Sequence, residues 1–499
     1  MSTKLPPERR PVIVGVGEIT DRPEDPAQGS EPLALMEAAL RLAEQDADAS
    51  LLQRLDSLDV VNQISWPYAD MPAQLAARIG AAPARAVYGK VGGESPVRFL
   101  HEAAARIARG ESDVAAVCGG EAQNTLDKAR RAGIDLPWTP RPEKYEPAIS
   151  GADLVRDVAL NLGVFMPVTI YPFYENASAA HWGQTPAAAQ AESGRLWSAM
   201  SRVAADNPRA WLRRAFAPED ITTPSPANRL IAWPYTKLMV ANPSVNQGGA
   251  VLLTSEAVAR AAGVAAEKMI YVHGGAAANE PRDYLLRDTY HASTAQDEVL
   301  HAAMDIAGAH GFSAVELYSC FPCVPKMARR TLGLAADAVP TLTGGLTFFG
   351  APLNTYMTHA ACAMTRHLRA APGAGLLYGQ GEFVTKHHAL VVSSAPDDKA
   401  SVLRPASVQA AADARRGPVP EFSLAATGQA ALESFTVIFD RDGAPTHGVA
   451  IARLAAGPRV LARVAADAAI ARLIDVARSP IGADGSITAS KDGLDWQFA

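Results

Sequence analysis

The chain has little cysteine, few aromatic residues and no strong excess of either charge. Four of its 499 residues are cysteine, and aromatic residues make up 6% of the sequence. So few cysteines cannot form the dense bridges of small secreted domains, and we expect reduced thiols and a cytoplasmic protein. The formal net charge is −6 at pH 7, so the chain lacks the basic field that nucleic-acid binding requires.

Long hydrophobic runs are missing as well. Mostly apolar stretches such as residues 342–353 contain glycine and fall far short of the roughly 20 residues in a membrane-spanning helix. The N-terminal segment, residues 1–10, lacks the apolar core of a signal peptide. We therefore expect a soluble protein without a membrane span.

What the chain does contain is a repeated alternation of strands and helices. Hydrophobic residues make up 48% of the sequence, and 499 residues predict about three packed units rather than one core. Short β-branched runs alternate with amphipathic segments over residues 11–120 and again over residues 248–393. This alternation predicts an α/β architecture with a largely parallel sheet.

Two regions break the alternation. Residues 123–234 are rich in Pro, Trp, Tyr and Arg and contain one helical stretch, residues 186–204, which predicts an inserted loop domain over the sheet. After a linker over residues 393–416, residues 434–445 form a strand and turn whose hairpin partner is residues 448–454. We expect a small β-rich domain over residues 405–499.

Five segments, in order and spacing, resemble the thiolase superfamily. They are Val91–Pro96, Arg109–Ala122, Val315–Phe321, Thr343–Leu353 and Gly379–Phe383. Four of these correspond to the nucleophile loop, the Asn-Glu-Ala-Phe box, the Gly-His-Pro loop and the Cys-x-Gly loop of thiolases. The resemblance covers about residues 10–395 and is strongest to acetyl-CoA acetyltransferase-like proteins related to sterol-carrier thiolases, with an added C-terminal domain.

The resemblance implies a five-layered αβαβα fold of two similar halves. The N-terminal half would span residues 1–275, including the insert, and the C-terminal half residues 276–400. The implied function is an acyltransferase acting on acyl-CoA thioesters in lipid metabolism. Coenzyme A or acyl-CoA would be substrate or ligand, with no permanently bound cofactor and no metal. A homodimer or a protein partner is also implied.

The residues that thiolases use for catalysis are replaced in this sequence. The nucleophile position falls on Gly93, the histidine position on Ala351 and the first residue of the Asn-Glu-Ala-Phe box on Tyr318. The second cysteine falls near Tyr378 or Gly379. Since acyl transfer needs a thiolate, an acid/base and an oxyanion hole, two functions stay open. One is an acyltransferase with altered residues, and the other is a non-catalytic CoA- or acyl-CoA-binding protein in lipid or sterol metabolism.

Three residues are candidate catalytic groups. Cys320 follows a predicted buried strand and is the leading substitute nucleophile, although a small buried core residue is the alternative. Cys320 and Cys323 form a Cys-x-x-Cys pair, but the sequence around it favours neither a redox nor a zinc site. His359 and His387 are candidate acid/base residues, with hydrogen-bonded structural histidines as the alternative.

The nucleophile loop is a candidate contact for the ligand. Gly92 and Gly93 allow close approach of the backbone, and the positive end of the following helix points at the same place. Ser95 could in principle attack an acyl group, but with Pro96 after it a helix N-cap is the better interpretation. Glu94 is a candidate acid, although an exposed loop carboxylate is the default.

The remaining candidate ligand contacts lie in the second half. Tyr318 has a hydroxyl donor, Gly345 and Gly381 belong to the two glycine loops, and Asn354 carries an amide that could replace a lost oxyanion donor. Lys386 could bind a phosphate group or lie in solvent at a strand end.

Overall fold

The structure is a computed structural model that describes residues 5–397 and 399–499. Residues 1–4 of the N-terminal segment and residue 398 of the predicted linker lie outside the described residues. The strands are β1 (Pro11–Thr20), β2 (Ser57–Val60), β3 (Arg85–Tyr88), β4 (Val114–Ala122), β5 (Leu230–Ala232), β6 (Tyr235–Thr236), β7 (Asn246–Ser255), β8 (Ile270–Asn279), β9 (Ala314–Leu317), β10 (Ala374–Gly381), β11 (Lys386–Ser393), β12 (Gly428–Phe439), β13 (Pro445–Leu454), β14 (Arg459–Val464), β15 (Asp484–Ser490) and β16 (Gly493–Phe498).

The helices lie mostly between these strands. They are α1 (Pro32–Ala47), α2 (Met71–Ile79), α3 (Ser95–Arg109), α4 (Gln123–Ala132), α5 (Asp157–Asn161), α6 (Pro167–His181), α7 (Pro186–Asp206), α8 (Pro218–Thr222), α9 (Glu256–Ala261), α10 (Thr294–Ala307), α11 (Cys323–Thr331), α12 (Gly345–Phe348), α13 (Tyr356–Ala370), α14 (Gln409–Arg415) and α15 (Asp467–Leu473). Along the described residues, none of them is long and apolar enough to cross a membrane.

Nine strands form the main sheet in the order β3-β2-β4-β7-β1-β8-β11-β10-β9. The prediction of a largely parallel sheet is wrong. The pairs β2–β3, β2–β4 and β9–β10 are parallel, and the other five neighbouring pairs are antiparallel. Alternation along the sequence fixes the order of elements but not the direction of strands. The long insert before β7 lets that strand enter beside β4 in the opposite direction, and a short turn reverses the chain between β10 and β11.

The five-layered arrangement is confirmed. Helices α1 and α2 cover the outer face of the N-terminal half of the sheet, and α10 covers the outer face of the C-terminal half. Helices α3 and α13 lie between the halves and pack against strands of both. In β1, Val12 and Val14 join the outer core whereas Ile13 and Val16 join the central one, as expected for a strand buried on both faces.

The insert contains more helix than the sequence predicts. Helix α7 matches the predicted stretch, but α4 and α6 are additional. Pro172 lies inside α6, and most of its side chains are buried around the whole circumference. A helix buried on all sides shows no amphipathic period, and the internal proline argues against a helix. The sequence therefore does not predict α6.

The predicted hairpin in the C-terminal region is present, with β12 antiparallel to β13. Its strands belong to a second sheet in the order β13-β14-β16-β15-β12-β5-β6, which closes on itself because β12 also pairs with β13. Strand β5 comes from the insert and β6 directly follows it, and Ala232 pairs with Ile438. The β-rich region is therefore joined to the insert through backbone hydrogen bonds.

Candidate functional site

A cavity of about 460 Å³ opens beside the N-terminal end of α3. Several parts of the chain enclose it: the loop before α3, the segments at the ends of β9 and β10, the insert with the residues up to 243, the segment from α12 to residue 354, and Ile64 after β2. Its lining is mainly apolar, and Ile64, Ile149 and Met166 extend from the lining to the surface, where they are 38%, 44% and 48% exposed. The cavity is thus an apolar space with an apolar mouth, within the size range of small-molecule sites.

Tyr318 fills the place of a nucleophile side chain. Gly93 lines the cavity, and a Cβ atom there would collide with the Tyr318 hydroxyl and lie 2.5 Å from the carbonyl oxygen of Gln380. Burial raises the pKa of the Tyr318 hydroxyl well above its usual range, so this group is neutral. The glycine and the tyrosine therefore fit each other, and neither matches the thiolase residue at its position.

Glu94 is buried, and the prediction of an exposed loop carboxylate is wrong. Its carboxyl group turns inward between Gly92 and Gly381, where a Cβ atom on either glycine would collide with it. Oε2 has no hydrogen-bond partner among the described residues. Burial raises the pKa of this carboxyl, and the nearby positive charges of Lys386 and Arg98 only reduce the effect. A buried carboxyl group with one unpaired oxygen and a raised pKa thus lies beside two glycines of the cavity lining.

Cys320 lines the cavity, as expected of the leading candidate nucleophile. Its thiol donates to Gln380 Oε1 at 3.5 Å, and the Tyr171 hydroxyl donates to the same oxygen at 2.9 Å. Tyr171 also stacks on Phe321, with ring centroids 4.2 Å apart. Burial raises the pKa of Cys320 to about 12, so the thiol is neutral near pH 7. All four cysteines are free and buried, which leaves Cys320 and Cys323 unbridged.

His359 lies outside the cavity lining, in the core between β1 and α13. Its Nδ1 donates to Glu18 Oε1 at 2.8 Å, and Glu18 also pairs with Arg366 and, at 3.6 Å, with Arg209. Burial raises the pKa of Glu18, but the hydrogen bond from His359 and the charge of Arg366 outweigh it and lower the pKa overall. The histidine is thus part of a buried ionic cluster.

His387 also lies outside the cavity lining. Its Nδ1 is 2.7 Å from the Tyr378 hydroxyl and its Nε2 is 3.2 Å from the Ser293 hydroxyl. Burial lowers the pKa of His387 to about 4, which leaves the ring neutral at pH 7. Lys386, the residue before it, donates to the Val91 carbonyl at 3.0 Å and pairs with Glu382 at 2.9 Å. The ammonium group therefore ties two cavity loops together.

The other predicted contacts divide between the lining and the surrounding shell. Gly92, Gly93, Gly381 and Asn354 line the cavity, but both ends of the Asn354 amide are engaged, with the Gly92 N–H and the Asn62 carbonyl. Ser95 is buried and donates to the Lys90 carbonyl at 3.1 Å. It is the first residue of α3, and Glu94 holds the N-cap position predicted for Ser95.

Gly345 lies behind the lining, where a Cβ atom would approach Met200 and Ser319 to 2.9 Å. Its neighbour Leu346 reaches the cavity in its place.

Sequence reasoning missed several residues of the wall. Tyr171 lies in the first turns of α6, and Met166 directly precedes this helix. No sequence motif marks either residue. Gln380 lies one position beyond the predicted site of the second cysteine, within the glycine loop. The glycine loop indicates this part of the wall, but the alignment with the second thiolase cysteine is uncertain by one residue and does not single out Gln380.

The comparisons with known proteins agree on the fold. The family described as the thiolase-like protein type 1 additional C-terminal domain matches residues 408–492. A crystal structure of a monomeric SCP2-thiolase like protein type 1 from Mycobacterium smegmatis is 30% identical, with a TM-score of 0.81, and the match covers 99% of this chain and 100% of that chain. No curated protein sequence matches the chain.

Two further solved structures share the main fold at low identity. Acetyl-CoA acetyltransferase from Syntrophomonas wolfei is 15% identical with a TM-score of 0.54, covering 77% of this chain and 99% of that chain. Human mitochondrial 3-ketoacyl-CoA thiolase, solved in complex with CoA, is 13% identical with a TM-score of 0.56, covering 78% of this chain and 98% of that chain. At such identity these two structures are informative about the fold alone.

Proposed function

Because this chain belongs to the SCP2-thiolase-like proteins of type 1, within the thiolase superfamily, we propose that it binds acyl-CoA thioesters in the apolar cavity without forming an acyl-enzyme. The observation that carries the proposal is the contact between Gly93 and Tyr318. The space for a nucleophile side chain is filled by a hydroxyl group, while the apolar cavity beside it is open.

The surroundings of the cavity support binding more than acyl transfer. A covalent thioester intermediate needs a thiolate with a base beside it. Cys320 is held neutral by burial, and both histidines expected to serve as bases are engaged outside the lining. The apolar lining and mouth suit an acyl chain, since burial of apolar surface contributes about 25 cal/mol per Å².

The test is calorimetric titration with acyl-CoA thioesters of increasing chain length. Ala351 lines the cavity, so Ala351→Phe fills part of it. Val476→Phe adds the same kind of ring at a position that is 48% exposed and serves as the matched control. We expect affinity to rise with chain length, to fall about tenfold or more in Ala351→Phe, and to stay unchanged in Val476→Phe. Failure of every chain length to bind would overturn the proposal.

A second candidate is an acyltransferase that uses Cys320, favoured by the presence of this thiol in the cavity wall. Incubation with acetyl-CoA or a 3-oxoacyl-CoA would then release free CoA and leave an acyl adduct that mass spectrometry detects. Cys320→Ala would abolish both. Release of CoA by the wild type but not by this variant would establish acyl transfer and set aside the binding-only proposal.

We also propose a cytoplasmic protein in lipid or sterol metabolism. Four free, buried cysteines suit a reducing compartment, and the thiolase fold suits CoA thioesters as ligands. The expected homodimer gains no support, because the SCP2-thiolase like protein from Mycobacterium smegmatis is monomeric.

A further inference from the structure

We propose that the Tyr318 hydroxyl donates a hydrogen bond to the carbonyl oxygen of the bound thioester, so that the cavity selects ligands with a carbonyl group next to the sulfur. The inference rests on the proposed binding of acyl-CoA. It gives a role to a tyrosine at a position where the thiolase pattern has the asparagine of the Asn-Glu-Ala-Phe box. The hydrogen bond holds the intact ligand and forms no covalent intermediate.

The hydroxyl group lies at the surface of the cavity. Tyr318 belongs to the lining, and the residue is 8% exposed. Gly93 also lines the cavity, and a Cβ atom on this glycine would collide with the Tyr318 hydroxyl. Because glycine has no side chain, nothing at position 93 covers the hydroxyl group. A ligand that packs against Gly93 therefore lies within reach of the Tyr318 oxygen.

The hydroxyl group has no partner in the part of the chain that the structure describes, and protein does not enclose its oxygen. The other tyrosine of the lining differs in this respect. The Tyr171 hydroxyl is hydrogen-bonded to Gln380 Oε1 at 2.9 Å and to the Glu382 carbonyl at 2.7 Å. An unpaired hydroxyl in a mainly apolar wall calls for a partner from outside the protein. Tyr318 thus offers the cavity a donor that Tyr171 does not.

The thioester carbonyl is the ligand group that matches this donor. Burial raises the pKa of Tyr318 well above its usual range, so the hydroxyl keeps its proton. A carbonyl oxygen can only accept a hydrogen bond. Its carbon is the first atom of the acyl chain, so the carbonyl enters the apolar cavity together with the chain. An unpaired carbonyl in such surroundings costs free energy, which a single donor offsets.

The experiment compares two ligands of equal chain length in the wild type, Tyr318→Phe and Tyr171→Phe. One ligand is the acyl-CoA thioester with carbon-13 in its carbonyl group, and the other is the S-alkyl-CoA thioether, which has CH₂ in place of the carbonyl. Calorimetry gives the dissociation constants, and isotope-edited infrared spectroscopy gives the carbonyl stretching frequency of the bound thioester. Tyr171→Phe is the matched control for this frequency, because it removes a hydroxyl group of the same lining that is already engaged by the protein.

We expect Tyr318→Phe to weaken thioester binding about threefold to tenfold. The carbonyl stretching frequency should rise, because the hydrogen bond that weakens the C=O bond is lost. Thioether binding should stay within about twofold of the wild type. Tyr171→Phe should leave the carbonyl frequency at its wild-type value. Tyr318→Phe removes no hydrogen bond within the described protein, so its urea unfolding midpoint should match that of the wild type.

Three results would overturn the inference while leaving the proposed function intact. The first is an unchanged carbonyl frequency in Tyr318→Phe. The second is equal weakening of thioester and thioether, which would place the hydroxyl against a part of CoA that both ligands share. The third is a marked loss of unfolding free energy in Tyr318→Phe, which would mean that the hydroxyl serves the fold. If neither ligand binds to the wild type, the proposed function fails and the inference fails with it.

Discussion

Glu94 and Glu18 are buried to nearly the same extent, at 7% and 8% exposure, yet their surroundings drive their pKa values in opposite directions. Glu94 lies beside Gly92 and Gly381 with one oxygen unpaired, and its pKa is raised. Glu18 lies between β1 and α13 with His359, Arg366 and Arg209, and its pKa is lowered. Burial penalises the charge of both carboxylates, so the partners decide in which direction each pKa moves.

The difference lies in how completely the two carboxyl groups are paired. In the Glu18 cluster both carboxylate oxygens pair with charged or hydrogen-bonding groups, which ties strand and helix together, while Nε2 of His359 has no partner among the described residues. Beside the cavity lining, Oε2 of Glu94 has no partner among the described residues. The sequence pattern predicts His359 as a catalytic base, and the structure places its Nδ1 on Glu18 and its ring outside the cavity lining.

Glu18→Ala is expected to have the largest effect. It leaves His359 and Arg366 buried or half-buried without their carboxylate, and removing one member of a buried ion pair costs about 3–5 kcal/mol of unfolding free energy. Glu37→Ala is the control, because the Glu37–Arg41 pair is partly exposed and such pairs contribute about 0.5 kcal/mol. Urea unfolding measures both. A loss in Glu18→Ala no greater than in Glu37→Ala would contradict the account of the cluster.

Gly93→Cys tests how tightly the cavity wall is packed. The new side chain collides with the Tyr318 hydroxyl and the Gln380 carbonyl, and overpacking of this kind costs about 1–3 kcal/mol. Tyr318→Asn introduces the smaller residue of the thiolase pattern and opens the space. We expect the double variant to lose less unfolding free energy than the two single variants lose together, and a double-mutant cycle measures this difference. Additive losses would show that the two positions do not compete for space.

Much of the fold is predictable from the sequence because its signals are local. Helix α7 covers the predicted stretch, and the glycine loops mark the cavity wall. Strand direction and the buried helix α6 are not predictable in this way. They depend on where the insert returns the chain and on packing from all sides, neither of which leaves a periodic pattern.

The site is less predictable than the fold because it depends on which way side chains turn. Glycines at positions 92 and 381 indicate close packing, but only the three-dimensional arrangement shows that Glu94 fills the space beside them. Likewise, His359 and His387 follow the glycine loops in sequence, yet both rings point into protein networks rather than into the cavity.

Glu94→Gln should reveal the opposite pH behaviour of the two carboxyl groups. A raised pKa in the folded state gives stability that is present below the ordinary value of 4.5 and declines as pH rises through the folded value. The lowered pKa of Glu18 gives stability that is lost as pH falls. Glu94→Gln should therefore be more stable than the wild type at pH 8, with the difference disappearing at low pH. Thermal unfolding between pH 4 and pH 8 checks this, and a difference that grows on acidification would refute it.

Two cysteines extend the comparison to uncharged groups, with the smallest expected effects. Cys320 faces the cavity, so Cys320→Ala enlarges an existing space and should cost less than about 1 kcal/mol. Cys362 is fully buried near Glu18, and its thiol donates to the carbonyl oxygens of Gly17 and Ala250 at 3.7 and 3.4 Å. Cys362→Ala creates a new void and removes these contacts, so we expect a loss of about 1–2 kcal/mol. Urea unfolding at one pH ranks the two variants. The reverse ranking would mean that the cavity wall, rather than the Glu18 region, is the more tightly packed of the two.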